Sequence, residues 1–373
     1  MKIIYCDSAA STPLHKEVLK KMNEISSVAI GNPSSIHKFG QESKAIIERA
    51  RLSVSDSLGC NRSELIFTSC GTESNNIALL GLLAPGDHLI TSTYEHPAIL
   101  EVANFLNMKG VEITYIKPLP NGMINPDDIE KEIKSNTKLI SIMFVNNELG
   151  TINPMHEIAE ITKQKNVILH TDAVQYIGKQ KINLKKTKID LLSLSAHKFY
   201  GPKGVGALFI RDGIDLNPSY LGGGQEKNLS PGTENIIGIY GLSLALEISL
   251  NGLSKWEKTI VKYESDFLDT LKKLNVNFVI NGENRLPGIL NITFKDILSQ
   301  DLVMALDMNG YAISGGSACS SGSVAAPKSL MEIGLDQDLA NRTVRISFGK
   351  NILKNDVIGL SKCIAKIINN INE

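Results

Sequence analysis

Between residues 64 and 210 one pattern recurs: a short run of aliphatic and β-branched residues, then a longer stretch of helical character. The runs are Leu65–Thr68, His88–Thr91, Val111–Ile116, Leu139–Val145, Val167–His170, Asp190–Leu194 and Val205–Ile210. They are apolar almost throughout rather than alternating, which is the pattern of strands covered on both faces. The rhythm predicts an α/β fold with a mostly parallel seven-stranded sheet wrapped by helices. In such sheets ligands sit beyond the carboxyl ends of strands, so the residues that follow each run are where chemistry is expected.

At 373 residues the chain exceeds what one core needs, and about two domains are expected. Beyond about residue 250, a long amphipathic stretch from Ser254 to Leu274 precedes shorter strand signals at Asn277–Ile280, Ile289–Phe294 and Val344–Phe348, then a closing helix near Lys354–Ile371. The expected division is a large domain over 1–250 and a smaller α/β domain over 251–373. The first forty residues read as an extended arm plus a helix, with Asn32-Pro33-Ser34-Ser35 as a turn. The 39 basic side chains balance the 39 acidic ones, which speaks against a nucleic-acid surface or a membrane patch. No secretory leader or bilayer-length apolar run is visible, and a cytoplasmic protein is expected. The five cysteines are odd in number, widely spaced and without a Cys-x-x-Cys pair, so neither a disulfide framework nor a metal site is expected.

Three segments carry candidate chemistry. Ser193-Leu194-Ser195-Ala196-His197-Lys198-Phe199-Tyr200-Gly201-Pro202 puts a lysine after a buried strand and before a Gly/Pro turn. Most lysines are solvated, but one shielded there would have a lowered pKa and could attack a carbonyl. In His170-Thr171-Asp172-Ala173-Val174-Gln175 an aspartate ends an apolar strand. Such a carboxylate can cap a helix, or it can pair with a protonated pyridine nitrogen. Ser314-Gly315-Gly316-Ser317-Ala318-Cys319-Ser320-Ser321-Gly322-Ser323 is too rich in Gly and Ser to pack as an element. Cys319 is therefore expected on an exposed, mobile loop, where a buried structural role does not fit.

With these segments in series, the chain resembles the NifS/IscS-like cysteine desulfurases of the class V aminotransferase family, which are fold type I pyridoxal-phosphate enzymes. Further motifs stand in the same order through nearly the whole chain. Asp7-Ser8-Ala9-Ala10-Ser11-Thr12 resembles the family's N-terminal substrate-side loop, within an arm, residues 1–15, that would pack toward the small domain. Thr68-Ser69-Cys70-Gly71-Thr72-Glu73-Ser74-Asn75 resembles its phosphate loop, where a strand enters a helix through a small-residue turn whose N–H groups suit a dianion. Tyr94-Glu95-His96-Pro97 would supply the histidine that stacks on the cofactor ring and relays protons, and Val145-Asn146-Asn147-Glu148 the Asn147 that faces substrate and cofactor. The resemblance further implies Gln175 at the cofactor's phenolate oxygen, Gly71, Thr72, Ser195 and His197 at its phosphate, and Ala9 on the substrate side. Arg345, in Thr343-Val344-Arg345-Ile346-Ser347, would clamp the substrate carboxylate, to which its planar fork is suited. Ser230-Pro231-Gly232-Thr233-Glu234-Asn235 resembles a segment that reaches across a dimer, bringing Thr233 to the neighbour's phosphate. Ser230 stands where the family usually has Arg, Cys70 where it has Gly, and Lys350 where Arg is common.

The resemblance implies a homodimer that binds pyridoxal 5'-phosphate on Lys198 as a Schiff base and converts L-cysteine to L-alanine, leaving the sulfur as a persulfide on Cys319. The loop at 314–327 would carry it to an acceptor, an iron–sulfur scaffold or a tRNA-thiolation enzyme. A selenocysteine lyase or other β-eliminating relative would share the cofactor residues, and the Cys319 loop favours the desulfurase. A non-catalytic scaffold would have no use for Lys198.

Overall fold

The computed structural model describes residues 3–315 and 327–372. Its N-terminal arm contributes a two-residue strand, β1 (Ile4–Tyr5). The main sheet follows, with β2 (Leu65–Thr68), β3 (His88–Ser92), β4 (Glu112–Ile116), β5 (Thr137–Ser141), β6 (Ile168–Asp172), β7 (Leu191–Ser195) and β8 (Gly206–Ile210). These form one seven-stranded sheet in the order β2-β8-β7-β6-β5-β3-β4. The pairs β7-β6-β5-β3-β4 are parallel, and β8 lies antiparallel to both β2 and β7.

The burial explains the unbroken apolar runs. Adjacent residues of β2, β3, β5 and β8 enter different cores: Leu65 and Phe67 pack on one face and Ile66 on the other, as do Ile90 against Leu89, Ile140 against Leu139 and Phe209 against Leu208, whereas the edge strand β4 leaves Glu112 and Tyr115 exposed. One face is covered by the helices Gly71–Leu82 and Pro97–Met108, the other by Lys38–Leu58, Met155–Lys165 and Ile236–Asn251. The helix Ile236–Asn251 is apolar nearly all round, so it carries no 3.6-residue stripe by which the sequence could announce it.

Three further strands, β9 (Phe278–Asn281), β10 (Ile289–Phe294) and β12 (Thr343–Ser347), make a small antiparallel sheet, while β11 (Tyr311–Ala312) pairs in parallel with β1. The helix Leu253–Lys273 buries Leu253, Ile260, Phe267 and Leu271 along one stripe, the amphipathic pattern expected from Ser254 to Leu274. Phe267, Leu290, Ile346 and Leu360 centre a second core that also takes in Cys6 of the arm. Leu330, Ile333 and Ala340 pack instead with the large sheet's core.

One expected strand ends early. The run Leu139–Val145 is extended only to Ser141, because Ile142, Met143 and Val145 are buried as a strand-end loop rather than as sheet. The segment after β6 turns at Gly178 (φ +78°), where an added Cβ would lie 2.4 Å from that of buried Phe199, beside Lys198. Gly178→Ala therefore combines a disfavoured φ with a backbone-proximal clash. It should cost roughly 2–4 kcal/mol of stability, read as a lowered urea midpoint, whereas an alanine at exposed Gly86, with open space around its Cβ, should cost less.

Candidate active site

The carboxyl ends of the parallel strands open onto a cavity of about 280 Å³. Ala9, Gly71, Thr72, His96, Asn147, Asp172, Gln175, Ser195, His197, Lys198 and Arg345 all line it. Thr233 does not: it lines a separate cleft with Ser69, Glu73, Tyr220 and Ser230. Cys319 lies outside the described residues. The chain that leads toward it is anchored at the cavity wall, where Ser314 and Arg345 exchange backbone hydrogen bonds of 3.1 and 2.8 Å.

Asp172 is delivered by the last residue of β6 and is buried. Its Oδ1 accepts from the Val174 N–H at 3.0 Å and its Oδ2 from Asn75 Nδ2 at 2.7 Å. Asn75, one turn into the helix Gly71–Leu82 after Thr72, is thus the donor that orients this carboxylate. Its own Oδ1 is buried without a hydrogen-bond partner among the described residues. The same helix begins at Cys70, which gives it no side-chain cap, and a Cβ on Gly71 would meet Val174 Cγ2 at 2.8 Å. The helix N-terminus is therefore presented bare to the cavity, a favourable environment for an anion.

Lys198 ends a short 3₁₀ turn directly after β7. Its Nζ donates to the carbonyls of Ala9 and Ala10 at 2.7 and 2.8 Å. Gln175 Nε2 donates to the same Ala9 carbonyl at 2.7 Å, and Gln175 Oε1 accepts from Lys179 Nζ at 2.6 Å. With its oxygen held by an ammonium, the Gln175 amide must present its N–H side toward Ala9. Burial, then the charges of Lys198 and Arg345, push the Lys179 amine down to about 7. His197 Nδ1 lies 3.2 Å from Ser11 Oγ, and burial followed by the surrounding lysines lowers its ring to about 4. His96 caps the helix Pro97–Met108, its Nδ1 accepting from the Ala98 N–H at 3.1 Å, so the neutral ring carries its proton on Nε2. Burial lowers its pKa, a shift that Asp172 opposes and Lys198 reinforces.

Arg345, in the middle of β12, is 2% exposed. Its Nη1 donates to the Asn147 carbonyl at 2.9 Å and its Nη2 to Asp7 Oδ1 at 2.7 Å. Ser230 Oγ donates to Glu73 at 2.7 Å, as does the Tyr220 hydroxyl at 2.8 Å, so at this position the chain has a neutral hydroxyl on a carboxylate. Lys350 Nζ lies 5.2 Å from the Tyr200 ring centroid, and burial lowers its pKa to about 8. Asn75, Asp7 and Lys179 are the site residues that strand-end reasoning missed. Asn75 and Asp7 stood inside motifs already singled out, but their partners are distant in sequence.

With a lysine and an aspartate at adjacent strand ends above an uncapped helix, the chain belongs to the aminotransferase class-V family, whose model matches residues 4–360. Several of its relatives are named cysteine desulfurases. The protein named cysteine desulfurase IscS of Dictyoglomus turgidum is 42% identical over 360 residues, covering 95% of this chain and 91% of the relative. A solved NifS-like protein superimposes with a TM-score of 0.92 at 35% identity, over 99% of this chain and 100% of its own. The structure titled SspA in complex with cysteine gives 0.81 at 37% identity, over 92% and 98%.

The cavity's donor set fits pyridoxal phosphate. The bare helix N-terminus at Gly71 and Thr72 suits its phosphate, the oriented Asp172 carboxylate its ring nitrogen, and the Lys198 amine its aldehyde.

The depressed Lys179 amine makes stability depend on pH. An unfolded lysine titrates near 10.5 and the folded one near 7, so between those values the unfolded chain binds more protons and stability rises with pH. Lys179→Met removes this component. Its stability relative to the parent should be highest at pH 6 and fall toward pH 9, as read from urea midpoints at both.

Proposed function

We infer that the chain is a pyridoxal-phosphate-dependent cysteine desulfurase that releases L-alanine and retains the sulfur of L-cysteine as a persulfide on Cys319. The observation that carries this reading is the single cavity that gathers Lys198, Asp172, His96 and Arg345, with Ser314 leading from Arg345 toward the cysteine loop. When bound, the cofactor supplies an aldehyde for the substrate amine and an electron-accepting ring. Asp172 would hold the ring nitrogen, Gln175 the phenolate oxygen, and Gly71, Thr72, Ser195 and His197 the phosphate. Ala9 and Ala10 hold the Lys198 amine at the substrate side through their carbonyls.

Arg345 and Asn147 bind the substrate carboxylate and so turn the Cα–H toward Lys198. Lys198 Nζ takes that proton, and His96, protonated on Nε2, sits where it can return one. Cys319 as thiolate attacks the substrate sulfur: an S–S bond forms, the Cβ–S bond breaks with its electron pair left on carbon, and protonation of that carbon gives alanine. The described cysteines are poor rivals for the role. Burial raises Cys6 and Cys60 to about 12 and also raises Cys363, while Cys70 sits at the phosphate end.

A homodimer belongs to the same reading. Thr233 lies in a cleft apart from Thr72, as a residue serving a neighbour's phosphate would, and Ile36 and Leu221 are 91% and 88% exposed. A cytoplasmic setting suits it too, since the four described cysteines are free thiols. The persulfide would pass to an acceptor protein, an iron–sulfur scaffold or a tRNA-thiolation enzyme.

Incubation with L-cysteine should yield alanine and protein-bound persulfide together, and alanine without persulfide would instead favour a β-eliminating lyase. Borohydride reduction and peptide mapping should place the cofactor on Lys198, and Lys198→Ala should abolish that adduct. Cys319→Ser keeps the shape but loses the nucleophile. It should still change the holoenzyme's spectrum on adding L-cysteine, while persulfide falls by roughly a hundredfold or more.

A further inference from the structure

Arg345 carries its charge inside the protein, and a buried guanidinium is tolerated only with a counter-charge or a full set of acceptors. The structure supplies both in part. Asp7 Oδ1 takes Nη2 at 2.7 Å and the Asn147 carbonyl takes Nη1 at 2.9 Å, while Nε is buried with no partner among the described residues. Asp7 is not a chance neighbour. The arm is fastened alongside β12 by Ser347 N–H to the Cys6 carbonyl at 2.7 Å and Ser8 N–H to the Ser347 carbonyl at 3.1 Å, so residues 7 and 345 are held on adjacent backbones.

We propose that Asp7 sets how tightly this site holds a carboxylate: it is a resident anion that positions Arg345 and competes with substrate and product for the same positive charge. The proposal rests on reading Arg345 as the substrate clamp. An arginine buried without Asp7 would bind L-cysteine and L-alanine more tightly alike. Binding that is equal for substrate and product does nothing for the chemical step and slows the departure of product. Asp7 therefore trades affinity for release. Asp7→Asn separates the two parts of the role, because the amide oxygen still accepts from Nη2 while the charge is gone.

The test is the Kd of the holoenzyme for L-alanine, by equilibrium dialysis, with KM for L-cysteine measured alongside. Asp7→Asn should lower both by the same factor, roughly three- to tenfold for the removal of one charge near a partly shielded site. Asp7→Ser, smaller and also neutral, should do likewise if the amide variant fails to fold. Asp7→Glu keeps the charge and should not tighten L-alanine binding. Neutral variants that fold but bind L-alanine no more tightly, or a glutamate variant that tightens it equally, would overturn the proposal. Arg345→Lys tests the underlying reading separately: it should raise the L-alanine Kd at least tenfold, and an unchanged Kd would remove the clamp itself and the role of Asp7 with it.

Discussion

The arm from Cys6 to Thr12 is the constraint on which the site depends. Cys6 packs in the smaller core, Asp7 pairs with Arg345, and the Ala9 carbonyl collects both Lys198 and Gln175. Thr12 then accepts from the Tyr200 N–H and donates to the His197 carbonyl, each at 2.7 Å, which pins the turn that carries the lysine. A few residues of the arm, Cys6 among them rooted in the smaller core, thus set the spacing between Arg345 and Lys198. The contacts to Lys198 and Gln175 are made by the Ala9 carbonyl, whereas those of Cys6, Asp7 and Thr12 depend on the side chains the arm carries.

Behind the arm, the sheet provides rigidity at the other end of the cavity. Strand neighbours are tied by buried polar groups as well as by the ladder. His170 Nδ1 is 2.8 Å from Ser141 Oγ and its Nε2 is 3.1 Å from Ser193 Oγ, joining β5, β6 and β7. Burial keeps that ring neutral, lowering it to about 3, so the bridge is indifferent to ordinary changes of pH. Asp172 and Lys198, two and five residues beyond His170 and Ser193 respectively, inherit their fixed separation from it.

Much of this was legible in the chain. Strands buried on both faces leave an unbroken apolar run, and the residue at the end of such a run faces the ligand side by topology, which is why Asp172 and Lys198 stood out as candidates from position alone, while His96 was named through the family resemblance. What could not be read depends on tertiary partners. Asn75 is an ordinary helix residue until Asp172 is placed against it from ninety-seven positions away, and Asp7 gains its meaning from Arg345, 338 positions on. Gln175 was expected to face the cofactor, but its orientation is set by Lys179, an amine that sequence alone would leave in solvent. The helix Ile236–Asn251 was silent for the opposite reason, being apolar on every side.

The distribution of charge has one more consequence. Lys198 and Arg345 line the site together with Asp172, and Lys179 reaches it through Gln175, so these cationic side chains contribute a positive potential framed by low-dielectric walls. Such a potential gathers anions from solution before any contact forms, raising encounter rates for phosphorylated or carboxylated molecules and weakening as ionic strength grows. Because Lys179 loses its proton close to neutrality, the attraction is itself graded by acidity, strongest on the acid side and fading as the medium turns alkaline.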